Sequence, residues 1–113
     1  MNNFFIVTPV FNDWKSLNKL LLSINKNIGK IKGKFRIIIV NDNSSEKIKL
    51  KVNDLYNIKN IKILNLNKNI GSQKAIYVGL KYIEKYKYKS IITVLDSDGE
   101  DDPSMLKKLI NLA

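Results

Sequence analysis

Four short stretches of the chain are almost wholly apolar and rich in β-branched residues. They cover residues 4–8, 35–40, 61–66 and 90–95. Apolar runs without strict alternation are typical of strands that are buried on both faces, as in a parallel sheet. The pattern therefore predicts four buried parallel strands.

Apolar residues at helical spacing occupy the intervals between these strands. The clearest stripe consists of Trp14, Leu17, Leu20, Leu21, Ile24 and Ile28. Residues 45–56 carry a weaker one, formed by Ile48, Val52 and Leu55, and a third is formed by Ala75, Ile76, Gly79, Leu80 and Ile83. Such stripes predict amphipathic helices. Within the third stripe, Gly79 is interpreted as a point of close packing between helix and sheet.

A fourth helix is predicted to begin at Pro103, because proline is favoured at a first helical position and Asp102 can serve as its N-cap. The resulting order is β-α-β-α-β-α-β-α. It predicts the α/β class, with a Rossmann-like open parallel sheet, right-handed crossovers and helices on both faces. Ligands of such sheets bind beyond the carboxyl ends of the strands.

The composition narrows the chemistry that this fold can carry. The 113 residues fit one small domain, and they include neither cysteine nor histidine. Any metal ion must therefore be held by oxygen atoms, which suits Mg²⁺, Mn²⁺ or Ca²⁺. No apolar run reaches the roughly 20 residues of a membrane span, and the N-terminus lacks the form of a signal peptide. A cytoplasmic location is predicted.

The formal net charge of +10 comes from 19 lysines and a single arginine, Arg36. The lysines are scattered along the chain, whereas nucleic-acid sites usually concentrate arginine. The charge is therefore interpreted as solvated surface, and no nucleic-acid partner is predicted. An attraction to anionic membrane surfaces stays open.

Five of the ten acidic residues fall within residues 96–102, directly after the last apolar run. Asp96, Asp98 and Glu100 alternate, so an extended backbone would point them to one side. Their mutual repulsion is relieved by a hard divalent cation, which predicts a metal site. Asp101 and Asp102 are interpreted as charges at the start of the next helix. The alternative is a solvated acidic turn.

Each of the other strands is also followed by a polar loop. Asp42 could accept hydrogen bonds from a nucleobase, or it could cap a following helix. Gly71 could let the backbone approach a phosphate at a helix N-terminus, with Lys74 adding a charge. Pro9 and Phe11 end the first strand, and Phe11 could either stack on a base or lie in the core.

Taken together, these loops resemble the N-terminal half of family 2 glycosyltransferases, which have the GT-A fold. IVTPVFND (6–13) is similar to the P-x-[YF]-N pattern of that family, and IIIVNDNSSE (37–46) to V-[DN]-D-x-S. NKNIGSQKAIYVGL (67–80) is similar to N-x-G-x-x-x-A-x-x-x-G, and VLDSDGEDDPSML (94–106) to the D-x-D motif of the polyprenyl-phosphate (dolichol-phosphate mannose synthase-like) branch.

The resemblance implies a UDP- or GDP-linked sugar donor and a divalent cation, Mg²⁺ or Mn²⁺, that bridges its diphosphate to the D-x-D carboxylates. Carried over by position, Asp42 would hold the base, and Pro9 and Phe11 would line its pocket. Asp96 and Asp98 would flank the metal and the donor, and Glu100 would be a further metal ligand. A polyprenyl phosphate or a glycan is the implied acceptor, with peripheral association at the inner face of the membrane.

The sequence departs from the family pattern at several positions. Asn41 replaces a frequent aspartate, Phe11 a common tyrosine, and Gly99-Glu100 a common Leu-Gln pair. We expect residues 1–113 to be a single donor-binding domain, truncated before the half that supplies acceptor contacts and the catalytic base. The alternative is a module that binds nucleotide and metal without catalysis. A receiver domain and a nucleotidyltransferase fit less well, because the loop after the first strand has neither an acidic pair nor glycine.

Overall fold

The computed structural model describes residues 2–86 and 89–96 of the chain. These residues form a four-stranded parallel sheet with a helix on each face. The strands are β1 (Asn3–Val10), β2 (Lys34–Asn41), β3 (Asn60–Asn65) and β4 (Ile91–Val94), and the helices are α1 (Trp14–Asn27) and α2 (Ser72–Ile83). Within these ranges, neither helix has the length and apolar content needed to cross a bilayer. The predicted α/β class is confirmed.

The strand order in the sheet is β3-β2-β1-β4. The chain moves outward from β1 to β2 and β3, and then returns to the other side of β1 to form β4. The central strands β1 and β2 are buried on both faces, as predicted. The prediction is wrong for the edge strands, because burial alternates along β4 and is only partial along β3. An edge strand has one neighbour instead of two, and this reduces the cover over its side chains.

The two helices pack on opposite faces of the sheet. The predicted stripe of α1 is buried against one face, where it meets Phe4 and Ile6. On the other face, Ala75 and Ile83 of α2 meet Phe5 and Val7. An α1 without its apolar stripe would leave half of the core open to water.

Gly79 lets α2 approach the sheet closely. A Cβ atom at this position would lie 2.6 Å from Cγ1 of Val7 and 3.1 Å from Cγ2 of Val40. The first of these distances is shorter than van der Waals contact, so any side chain here would push the helix away from the sheet. The predicted packing role of Gly79 is confirmed.

The helix predicted over residues 45–56 is wrong. These residues are irregular in the structure and are fastened to α1 by asparagine side chains. Asn18 donates to the carbonyl of Lys49 at 2.7 Å and accepts from the amide of Lys51 at 2.8 Å. These bonds use the backbone groups that a helix would pair internally, which explains why the weak stripe does not prevail. The helix predicted from Pro103 lies outside the described residues.

Candidate functional site

The strand order reverses between β1 and β4, and the crevice expected at the carboxyl ends of these two strands is the candidate site. The amide of Leu95 donates to the carbonyl of Val7 at 3.0 Å, and this bond continues the ladder between the two strands. The next bond of a parallel ladder would need an amide hydrogen at residue 9, and Pro9 has none. The described pairing of β1 with β4 reaches Val7, whereas β1 stays paired with β2 as far as Val10.

This position is a topological switch point, which is where open α/β sheets bind ligands. Pro9 is buried at the end of β1, and Asp96 follows Leu95 directly. The sequence-predicted residues of the first and fourth loops thus flank one crevice. The missing amide hydrogen of Pro9 faces β4, and this could not be assigned from the sequence, because it depends on which strand lies beside β1.

Asp42 is buried, with 3% of its surface exposed, and both of its carboxylate oxygens accept hydrogen bonds. Oδ1 accepts from the amide of Ile70 at 2.8 Å. Oδ2 accepts from the amide of Gly71 at 2.9 Å and from Nδ2 of Asn69 at 3.1 Å. Asp42 therefore joins the end of β2 to the loop before α2. A nucleobase that bound this carboxylate would have to share oxygen atoms that already accept hydrogen bonds from the loop before α2.

The alternative role for Asp42, capping a helix that directly follows it, is wrong, because residues 43–59 contain no helix. A role in holding the base stays a prediction.

Asparagine and serine side chains connect the loops after β1, β2 and β3. Asn41 is buried, and its Nδ2 donates to Oδ1 of Asn65 at 2.9 Å. The Oδ1 atom of Asn41 accepts from the amide of Ser44 at 3.1 Å. The hydroxyl of Ser44 in turn accepts from the amide of Asn12 at 2.9 Å. Asn41, which departs from the family pattern, thus has structural partners on two sides.

Two asparagines with left-handed backbone also lie in these loops. Asn12 and Asn43 both have φ of 58°, a region that asparagine tolerates better than most residues. The Oδ1 atom of Asn12 accepts from the amide of Glu46 at 3.1 Å. Sequence reasoning missed this framework, and its only signal was asparagine recurring after each of the first three strands.

Phe11 is 52% exposed at the tip of the loop after β1. The alternative in which this ring lies in the core is therefore wrong. An exposed aromatic ring beside the crevice has a free face on which a planar base could stack. That role stays a prediction.

Gly71 has φ of +90°, which explains the need for glycine immediately before α2. Its amide donates to Asp42, so this particular N–H is already engaged. No side chain caps the start of α2, and its first turn contains no acidic residue. Lys74 is exposed in that turn. These features suit an anion, and the predicted phosphate contact of Gly71 and Lys74 remains a prediction.

Asp96 is half-buried after β4, and the other predicted metal ligands, Asp98 and Glu100, lie outside the described residues. Residues 2–86 and 89–96 contain no group of three acidic side chains that could hold an ion. The donor set of the motif consists of carboxylate oxygens only, which fits Mg²⁺ or Mn²⁺. Of this set, the structure describes Asp96 alone.

Comparison with known proteins identifies the class to which this fold and crevice belong. The family model described as glycosyl transferase family 2 matches residues 5–113. The chain therefore belongs to glycosyl transferase family 2.

Relatives and solved structures agree with this assignment. An uncharacterized glycosyltransferase of Synechocystis is 29% identical over 107 residues, which are 94% of this chain and 32% of that protein. The undecaprenyl-phosphate 4-deoxy-4-formamido-L-arabinose transferase of Proteus mirabilis is 26% identical over 115 residues, covering 100% of this chain and 34% of that protein. The crystal structure of S. aureus TarS 1-349 superposes with a TM-score of 0.69 at 25% identity, covering 98% of this chain and 32% of that one.

The predicted GT-A architecture is confirmed by the likeness to TarS. The chain spans about a third of the length of each of these three proteins.

Proposed function

We propose that this chain forms the donor-binding part of an enzyme that transfers a sugar from a UDP- or GDP-linked donor. The acceptor would be a polyprenyl phosphate or a glycan. The observation that carries the proposal is the switch point between β1 and β4, where Pro9 and Asp96 stand at the strand ends, in a chain that belongs to a glycosyltransferase family. The relatives named as undecaprenyl-phosphate transferases support a lipid phosphate as the acceptor.

Each loop has a part in this proposal. The exposed ring of Phe11 would stack on the base, and Pro9 and Asp42 would border it. The diphosphate would lie toward the start of α2, near Lys74, where the helix end is electropositive. Asp96, Asp98 and Glu100 would hold a divalent cation, which would neutralise the negative charge of the leaving diphosphate. The general base would come from outside these 113 residues.

The proposal places the enzyme in the cytoplasm, at the inner face of the membrane when its acceptor is a lipid. In that case the proposal has the protein associate with the membrane peripherally. The basic composition supports such an association, because the cytoplasmic leaflet is anionic.

Calorimetric titration of UDP and GDP into the 113-residue chain, with and without Mn²⁺, tests the donor site. We expect binding that requires the metal ion and that is abolished by Asp96→Asn. Asp54→Asn is the matched control, because it removes the same charge from an exposed carboxylate far along the chain. Binding that persists in the Asp96→Asn variant, or that needs no metal, would contradict the proposed donor site.

The alternative function is that of a module that binds nucleotide and metal without catalysis. Sugar transfer, measured after incubation with UDP- and GDP-linked sugars and a polyprenyl phosphate, distinguishes the transferase from the binding module. Under the transferase proposal, the isolated chain binds nucleotide but transfers little sugar until the remaining part of a transferase is supplied. Failure to gain activity in that longer protein would favour the binding module.

A further inference from the structure

A groove with a basic rim runs along the outer side of α1. It has a volume of about 400 Å³ and lies between α1 and the irregular connection from β2 to β3. Four lysines line it: Lys15 and Lys19 from the helix, and Lys49 and Lys51 from the connection. None of its described lining residues is acidic. The groove therefore presents a concentrated positive charge on a surface that the donor crevice does not use.

The floor and flanks of the groove are apolar. Trp14 and Leu22 line the floor, and the side chain of Leu22 is 50% exposed. In the neighbouring connection, Ile48 is 44% exposed and Val52 is 49% exposed. Exposed aliphatic side chains that alternate with lysines are characteristic of surfaces that lie in the interface of a bilayer.

The two walls of the groove are held together by Asn18. This side chain bonds both the carbonyl of Lys49 and the amide of Lys51, as described above. Lys49 and Lys51 are therefore presented from a fastened segment, although its sequence alone predicts a helix. The lysines of both walls therefore face the same surface in the folded chain, and the segment does not have to become ordered when the protein binds.

We propose that this groove is the surface by which the protein docks on an anionic phospholipid bilayer. The lysines contact the lipid phosphates, and Leu22, Ile48 and Val52 enter the boundary with the acyl chains. This inference rests on the peripheral membrane association in the proposed function and names the surface responsible. The four clustered positive charges complement a negatively charged leaflet. The apolar floor of the groove matches the interior of the bilayer.

Other occupants match the groove less well. Two copies of the chain would bring their lysines together, and the resulting repulsion opposes a dimer through this face. A nucleic acid gains little from exposed aliphatic side chains, and the groove lacks both arginine and an exposed aromatic ring on which bases could stack.

The position of the groove has a consequence for the reaction. Trp14 and Lys15 form the first turn of α1, directly after the loop that carries Phe11. Docking through the groove therefore brings the rim of the donor crevice toward the bilayer. A lipid-linked acceptor could then reach the crevice without leaving the membrane.

Vesicle flotation with phosphatidylglycerol-containing and purely zwitterionic vesicles tests the docking surface. We expect binding to the anionic vesicles only, weakening as salt is raised, because surface charges are screened. Replacing Lys15, Lys19, Lys49 and Lys51 with glutamine should weaken binding roughly six-hundredfold, at about fivefold for each lysine. The matched control replaces Lys32, Lys34, Lys59 and Lys62, which are exposed near the amino ends of β2 and β3.

Trp14 supplies a second measurement, because it is the only tryptophan of the chain. Lipids with brominated acyl chains quench an indole only at close range, so they should quench Trp14 when the groove meets the bilayer. Docking through the opposite face, where α2 carries Tyr77 and Tyr82 and Lys85 follows it, would leave Trp14 unquenched and overturn the proposal.

Three other outcomes would also overturn it: equal loss of binding in both lysine variants, equal binding to zwitterionic vesicles, and preferential binding to duplex DNA over vesicles. UDP titration of the groove variant separates this inference from the proposed function. The groove variant should still bind nucleotide although it no longer binds vesicles. If the unaltered chain failed to bind nucleotide, that result would contradict the proposed donor site and not the docking surface.

Discussion

The carboxylate of Asp42 accepts a hydrogen bond from the amide of Gly71, with 2.9 Å between Oδ2 and the nitrogen. This bond joins the end of a central strand to the residue that precedes α2. Because Gly71 has a positive φ, the loop turns in a conformation that few other residues adopt. The position of α2 relative to the sheet is thus set by a buried charge and by a glycine.

The Asp42→Asn variant should be less stable by about 2–4 kcal/mol, because a buried acceptor of several N–H groups is replaced by a group with only one oxygen. An amide would place its own NH₂ against at least one of these donors. Urea unfolding measures the change. Asp54→Asn, at an exposed carboxylate, should alter stability by less than about 0.5 kcal/mol. Equal effects in the two variants would contradict the structural role of Asp42.

Pro9→Ala supplies the amide hydrogen that the ladder between β1 and β4 lacks beyond Leu95. We expect the new amide to be protected from hydrogen exchange, because it can donate to the carbonyl of Leu95 and extend the pairing. Extending the pairing at the switch point in this way should weaken UDP or GDP binding. A rapidly exchanging amide at position 9 would contradict this extension.

Gly79→Ala should destabilise the fold by about 1–2 kcal/mol, because overpacking costs about 1–3 kcal/mol and the gain in helix propensity returns less than about 1 kcal/mol. The added methyl group would meet Val7 and Val40. Thermal or urea unfolding gives the value. A combined Gly79→Ala and Val7→Ala variant should lose less stability than the sum of the two single changes, since the second change provides room for the first.

The exposed position Tyr77 isolates the contribution of helix propensity. The Tyr77→Ala variant should be more stable than Tyr77→Gly by about 1 kcal/mol, which is the ordinary preference for alanine in a helix. If Gly79→Ala stabilised the protein by a similar amount, the close approach of α2 to the sheet would be disproved.

Asn25→Ala should loosen the connection between β2 and β3. The Oδ1 atom of Asn25 accepts from the amide of Asn57 at 2.7 Å, and its Nδ2 donates to the carbonyl of Asp54 at 3.1 Å. Losing both bonds should cost about 1–3 kcal/mol, because partly buried backbone groups lose their partners. Limited proteolysis should then cleave residues 47–57 sooner. Asn27→Ala is the control, since the described hydrogen bonds of its side chain join Ser23 within the same helix.

Much of the fold follows from the local pattern of the sequence. The apolar runs and the stripe of α1 predict elements that the structure contains, because burial on one side of a helix requires apolar residues at helical spacing. Gly79 falls within the predicted stripe of α2, so it could likewise be assigned to packing against the sheet. The helix predicted over residues 45–56 does not form, and the cause is tertiary. Asn18 and Asn25 of α1, which are distant in the sequence, bond to the backbone of the connection between β2 and β3.

The sequence by itself determined the order of the four strands and of the helices α1 and α2, the oxygen-only chemistry available to a metal ion and the polar loops at the strand ends. These properties depend on residue type and on spacing along the chain. Only the tertiary structure decided that residues 45–56 form no helix, that β4 lies beside β1 and that Asp42 binds the loop at Gly71. Such contacts join residues far apart in the sequence, and hydrogen bonds between them form only once the chain has brought their backbones within about 3 Å.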